Sequence, residues 1–198
     1  MSTALRSARS LKEFYETCLT IPTAITPHLQ TLRHYASKCE IACEFGVKRG
    51  FSSSALLMGA SAVHSWDIAP TREAQHLQQL APRWGYRIED SRLCRLPVCD
   101  LLLIDSLHTY EQVKAELATM RGLIRKYLIL HDVTTFGSVG ADGESGRQSW
   151  TYETGQSVPQ EHLGIMPAIL EFMAEDPVWD VLEINPHSHG LLVLKRRN

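Results

Sequence analysis

DLLLIDSLHTYEQVKAEL (residues 100–117) and, a short way on, YLILHD (127–132) decide the fold. Each contains a near-continuous apolar run that is too short for a buried helix and ends on an acid. Between the runs YEQVKAELATMRGL (110–123) has helical spacing. Apolar runs of this length joined by helix-length crossovers describe parallel strands buried on both faces. The pattern extends outward in both directions. Upstream, IACEF (41–45), VHSWDI (63–68) and YRIE (86–89) alternate with the helical stretches SSSALLMGA (52–60) and TREAQHLQQL (71–80). Downstream, a polar Gly/Ser-rich loop (134–158) precedes the helix-like IMPAILEFMAE (165–175), and WDVLEIN (179–185) and GLLVLK (190–195) are joined only by PHSH. A join that short makes an antiparallel hairpin. Residues 7–20 and 27–38 read as two helices, the second with Pro27 near its start. The expectation is an α/β sheet of five parallel strands with a terminal hairpin, preceded by two helices.

Composition sets the limits on this reading. The chain has 198 residues, 44% hydrophobic and 21% charged, with a net charge of −2. That length suits one compact domain. Near-zero charge argues against nucleic-acid phosphate as the main partner. No run reaches the roughly 20 apolar residues of a membrane span. Charges stand where a secretory signal would be apolar, which points to a cytoplasmic protein with neither a nucleic-acid nor a membrane partner. Five cysteines (Cys18, Cys39, Cys43, Cys94, Cys99) at spacings unlike a zinc knuckle read as buried free thiols.

In an open α/β sheet, ligands bind beyond the carboxyl ends of the strands. The first strand runs into Glu44-Phe45-Gly46-Val47-Lys48-Arg49-Gly50 and then Ser52 and Ser53. Gly46 and Gly50 let the backbone turn and approach a ligand. The loop lacks the second glycine of a dinucleotide fingerprint and carries a carboxylate. Such a carboxylate repels a pyrophosphate and attracts the ammonium and sulfonium of S-adenosylmethionine. Asp67 ends the second strand, where an acid meets ribose hydroxyls. Asp90 and Ser91 follow the third strand and could reach an adenine edge or cap a turn. The fourth and fifth strands bring Asp105, His108, His131 and Asp132 to one place, a set able to hold a divalent cation or a general base. His187 and His189 flank the hairpin turn and read as solvated. Trp150, Tyr152 and Arg147 lie in the long loop, where they could line a substrate.

CEFGVKRGFSS, DLLLIDSLHTYEQVKAEL, KYLILHDVTTFG and the C-terminal GIMPAILEFM and GLLVLK, in this order, resemble the class I S-adenosylmethionine-dependent methyltransferases. Within that class they are most similar to the methyltransferase-24 family, the group of macrocin O-methyltransferase and cephalosporin hydroxylase-like proteins. The resemblance covers roughly residues 27–197. It implies a Rossmann-like, doubly wound, seven-stranded sheet with an antiparallel last strand. The single methyltransferase domain would then span 1–198, with N-terminal helices over 1–38 and the catalytic core over 39–198. The resemblance also implies S-adenosylmethionine over Glu44, Gly46 and Gly50, with Asp67 on the ribose and Asp90-Ser91 near the adenine. Acids after the fourth and fifth strands hold Mg²⁺ in metal-dependent relatives, and Asp105 and Asp132 occupy those positions. His131 stands where such relatives carry an acid or an amide.

The expected function is methyl transfer to a hydroxyl of a small metabolite or sugar. Either His108 or His131 would serve as base, or Asp105 and Asp132 would bind Mg²⁺ or another divalent cation. Rival readings are an NAD-dependent oxidoreductase on a similar sheet, or a non-catalytic cofactor-binding protein. A homo-oligomer is left open, since substrate choice must rest on the long loop, the N-terminal helices or a second subunit.

Overall fold

The computed structural model describes residues 2–141 and 163–197, and Arg147, Trp150 and Tyr152 lie outside them. The chain opens with α1 (Ser2–Arg6), α2 (Leu11–Thr20), a 3-10 turn (Thr26–His28) and α3 (Leu29–Ala36). The helix expected over 7–20 begins later because Ser10 stops it. The Ser10 side chain accepts from the Glu13 N–H, and the Glu13 carboxylate accepts from the Arg9 N–H, a capping box that starts α2 afresh.

The sheet follows. β1 (Ile41–Phe45) leads to α4 (Phe51–Leu57), β2 (Ala62–Asp67) to α5 (Arg72–Leu80), and β3 (Gly85–Ile88) to β4 (Cys99–Ile104) without a helix. After β4 come α6 (Tyr110–Thr119), β5 (Ile124–His131), α7 (Ile165–Glu175), β6 (Trp179–Asn185) and β7 (Leu191–Arg196). The strand order is β3-β2-β1-β4-β5-β7-β6, parallel through β5, with β7 antiparallel to both β5 and β6. The hairpin therefore folds back so that its second strand lies inside the sheet. The sequence accounts for this: the first four residues of β7 are all buried, whereas Val181, Leu182 and Ile184 of β6 are exposed at the edge.

Side-chain alternation divides the core. Leu101 and Leu103, Tyr127 and Ile129, and Leu191 and Val193 face α2, α3, α4 and α5. Leu102 and Ile104, Leu128 and Leu130, and Leu192 and Leu194 face α6 and α7. Period-two parity thus turns Glu44 and His131 toward the N-terminal helices. All five cysteines are buried and free. Trp66 and Trp179 are core residues. No helix among the described residues is long and apolar enough to cross a membrane.

Candidate functional site

Strand order reverses between β1 and β4, and two clefts open at the carboxyl ends there. The backbone between them is compressed. At Gly46 φ is +88°, and a Cβ there would stand 2.0 Å from the carbonyl oxygen of Asp105. Only glycine permits this approach, and it joins the β1 loop directly to the end of β4. Gly50, with φ +79°, starts α4 against Leu77.

The first cleft, of about 460 Å³, is lined on one side by Asp67, Asp90 and Ser91 and on the other by Ser106 and Leu107. Asp67 Oδ2 accepts the N–H groups of Val47 (2.8 Å) and Lys48 (2.7 Å), and Oδ1 accepts that of Ala69 (3.1 Å). The acid therefore fixes the glycine loop while its carboxylate borders the cleft. Asp90 is held by Arg92 at 2.6 Å. The Ser91 hydroxyl donates to Glu116 Oε1 at 2.5 Å, and Ser106 and Gln112 donate to the same oxygen. Burial raises the Glu116 pKa, against the pull of these hydrogen bonds. Ile68 is 78% exposed and Leu107 45%, apolar surface bordering a cleft with no protein partner.

Glu44 lies beneath the loop and lines neither cleft. Its Oε2 accepts the hydroxyls of Ser53 (2.5 Å) and Ser65 (2.8 Å), while Oε1 is buried without a partner. Burial pushes its carboxyl up to about 7, although hydrogen bonds from Ser52, Ser53 and Ser65 pull the other way.

The second cleft, of about 400 Å³, contains Asp105, His108, His131 and Asp132 together with Ser52 and His189. His131 Nδ1 stands 2.9 Å from Asp105 Oδ1. His131 Nε2 stands 3.3 Å from the carbonyl oxygen of Ser188. Both partners are acceptors, so both ring nitrogens donate and His131 is an imidazolium. Burial by itself would lower its pKa, but Asp105 and Asp132 outweigh burial and raise it. Burial would likewise raise Asp105, but His131 and His108 together hold it well below the usual carboxylate range. His108 Nε2 lies 3.3 Å from Asp105 Oδ1 and 3.2 Å from Asp132 Oδ2. It is nonetheless buried without hydrogen-bond geometry to either, as is Asp132 Oδ1. Ligand atoms from Asp105, His108, His131 and Asp132 all fall within 4.8 Å of one another. Two carboxylates with an imidazole between them form a donor set that fits a hard divalent cation.

Three contributions to this cleft escape a reading of the sequence. His189, expected in solvent, places Nδ1 3.0 Å from Asp132 Oδ1. His28 is fully buried, with its ring centroid 5.4 Å from that of His131, and its Nε2 donates to the carbonyls of His187 (3.1 Å) and Ser188 (3.2 Å). Thr23, Ala24 and Ile25 form a wall. The hairpin turn pays for these contacts in strain, with Ser188 at φ 48°, His189 at φ 71° and Gly190 at φ 90° in succession.

The fold is that of the class I methyltransferases. A methyltransferase of Podospora anserina bound to S-adenosylhomocysteine aligns over 100% of this chain and 93% of its own, at TM-score 0.61 and 16% identity. The 1,6-didemethyltoxoflavin-N1-methyltransferase of Burkholderia thailandensis, solved with its acceptor and S-adenosylhomocysteine, aligns over 100% and 89% at TM-score 0.61 and 14% identity. An O-methyltransferase family protein from the same organism aligns over 100% of this chain and 62% of its own, at TM-score 0.61 and 12% identity. Neither a protein-family profile nor a curated protein sequence matches the chain.

Proposed function

We propose that the protein is an S-adenosylmethionine-dependent O-methyltransferase acting on a hydroxyl of a small metabolite, such as a sugar or glycan unit. One observation carries the reading: the two clefts meet at Gly46, Lys48, Asp105 and Ser106. The first suits adenosine, with Asp67 for the ribose hydroxyls, Asp90 and Ser91 at the adenine edge, and Ile68 and Leu107 against its faces. The second then receives the acceptor, and the methyl group crosses where they join. Solved neighbours that carry S-adenosylhomocysteine support the cofactor, and the motif order resembling the methyltransferase-24 group supports an oxygen acceptor.

The reaction is an in-line displacement. The acceptor oxygen bonds to the methyl carbon, the carbon–sulfur bond breaks onto sulfur, and the hydroxyl proton must leave. Alignment of the two substrates supplies most of the rate. Of the two histidines considered as base, His131 donates from both nitrogens and has no lone pair to offer. His108 directs Nε2–H at Asp105 and Asp132, so Nδ1 is the nitrogen left to take the proton, and the two carboxylates stabilise the imidazolium that forms. His131 keeps Asp105 in place. A divalent cation held by Asp105 and Asp132 with His108 would lower the pKa of the hydroxyl and orient it.

Calorimetry and thermal unfolding with S-adenosylmethionine, S-adenosylhomocysteine and NAD, each with and without Mg²⁺, test this reading. At about a hundredfold excess over Kd, S-adenosylhomocysteine is expected to raise Tm by roughly 5–10 °C. Stabilisation by NAD alone would sink the assignment. Cofactor binding and methyl transfer indifferent to Mg²⁺ and to chelators would remove the metal and leave His108.

A further inference from the structure

The second cleft is lined by two groups of charged residues. In the first, the charges are balanced from within: Asp105 faces His131 and His108, and Asp132 faces His108 and His189. The second is Lys48 and Arg49, from the loop between β1 and α4. Neither side chain forms an ion pair or hydrogen bond with a described residue. The guanidinium carbon of Arg49 lies 5.3 Å from the centroid of the Phe51 ring, and Phe51 is buried. A cation–π contact of this kind occupies one face of the guanidinium and fixes its plane, leaving the N–H donors at its edge free for a two-point bond to an oxyanion.

Arg49 borders the cleft that holds the histidine and aspartate cluster and has no part in the other, whereas Lys48 borders both. We propose that the methyl acceptor is a small hydroxylated anion, a carboxylate or a phosphate ester, whose charged group binds Arg49 while its hydroxyl lies against His108. The inference rests on the methyltransferase reading above and narrows its acceptor class. An anionic acceptor would give the Arg49 guanidinium, which has no carboxylate partner among the described residues, a counter-charge within the cleft it lines. Lys48, at the junction of the clefts, adds a second positive charge near the same anion.

One other anion would come close, the methionine carboxylate of the cofactor, and the experiment separates the two. Protein saturated with S-adenosylhomocysteine is titrated with inorganic phosphate and with benzoate, with phenol as the neutral counterpart. The same titrations are made on Arg49→Gln and Arg49→Lys. Phosphate or benzoate is expected to bind the loaded wild type, with phenol much weaker. Arg49→Gln should weaken the anion about tenfold to a hundredfold, and Arg49→Lys should recover part of that loss. The proposal is overturned if neither anion binds the loaded protein, or if Arg49→Gln binds them as the wild type does. It is also overturned if Arg49→Gln weakens S-adenosylhomocysteine but not 5′-methylthioadenosine, which lacks the amino-acid end, because Arg49 would then serve the cofactor. Failure of wild-type protein to bind S-adenosylhomocysteine at all would instead strike the methyltransferase reading itself.

Discussion

The hydrogen bonds beside Asp67 join residues no more than 25 positions apart, whereas those that hold the cleft beside His108 join residues as much as 160 positions apart. In the first, Asp67 binds the N–H groups of Val47 and Lys48, Asp90 binds Arg92 two residues away, and Ser91 joins a small set around Glu116. Most of these are backbone contacts or neutral donors, and each would survive some change in its surroundings. In the second, charged groups stand within 2.9–3.3 Å of one another. Asp105 and His131 come from separate strands, and Ser188, from the hairpin turn, takes the other nitrogen of the same imidazole. The ring of His28, from the N-terminal segment, packs against it. On the reading proposed above the difference is functional: a cofactor site needs a loop of fixed shape, which local bonds supply, whereas a proton-transfer site needs charges held at set distances in low dielectric, and several elements must converge to hold them.

The largest effect is expected from breaking the second cleft. Asp105→Asn keeps the shape but leaves the buried imidazolium of His131 without its counter-charge. Removing one partner of a buried pair costs about 3–5 kcal/mol. The pH dependence follows from the two shifts. His131, raised, contributes stability that is fully present below its unfolded pKa and is lost as pH rises through the folded value. Asp105, lowered, contributes stability that is present above its unfolded value and is lost as pH falls through the folded one. The wild type should therefore exceed the variant most near pH 5–6, and the gap should narrow at alkaline pH as His131 deprotonates. Urea unfolding at pH 5.5 and 9 measures it. Equal gaps at both values would mean that His131 carries no charge in the folded protein. If methyl transfer takes place in this cleft, as proposed above, the variant's rate should fall by about a hundredfold or more.

The same contrast explains what could be read in the sequence. Asp67, Asp105 and Asp132 end apolar runs, and parallel order in an α/β sheet gathers strand ends to one edge, so their position there needed no coordinates, whereas the burial of Glu44 beneath the loop, away from both clefts, did. The strand stretches carry strong apolar patterns, and their observed bounds lie within a few residues of expectation. His189 and His28 were invisible for a physical reason. Their roles depend on which strand of the hairpin pairs with β5 and on where an N-terminal turn packs, and both are set by tertiary contacts. One clue was present: LLVL in β7 is a continuous apolar run fit for the sheet interior, while DVLEIN is broken by Asp180, Glu183 and Asn185, as suits an edge strand. That difference predicts β7 next to β5 and so brings the turn before it, with His189, to the site. The break before α2 was also legible, in Ser10 and Glu13. Glu116 shows no signal, since a lone acid in a helical pattern reads as a solvated face.

A smaller, opposite effect is expected beneath the cofactor loop. Glu44 has its carboxyl pushed up to about 7 by burial. The folded state therefore holds a proton that the unfolded state releases near pH 4.5. As pH rises between these values the wild type loses stability, and above 7 the loss is complete. Glu44→Gln does not titrate, so its stability relative to wild type should improve by roughly 1–3 kcal/mol between pH 5 and pH 8. The pH difference is the useful quantity, because the new amide nitrogen takes the place of an unpartnered oxygen and adds its own constant cost. Urea midpoints at the two pH values give it, and a gap that stays constant would show that Glu44 ionises in place. Here a charge is a burden on the fold, whereas at Asp105 it holds the site together.

The mildest test falls on Lys48, which borders both clefts. Its φ of 48° puts a branched-free but Cβ-bearing residue in the left-handed region. That conformation costs about 1–2 kcal/mol for a residue other than glycine. The loop tolerates it because the contacts that fix Lys48 are made by its backbone: the N–H donates to Asp67 and the carbonyl accepts from Thr71 at 2.5 Å. Lys48→Gly keeps both bonds and relieves the strain, at some cost in unfolded-chain entropy, so the net gain should be about 0.5–1 kcal/mol, or 1–3 °C in Tm. If the variant is instead less stable, the lysine side chain makes a favourable interaction in the folded state. If it is more stable yet binds anions less well, the strain is retained for the charge that Lys48 places between the clefts, and the lysine serves the acceptor side rather than the cofactor.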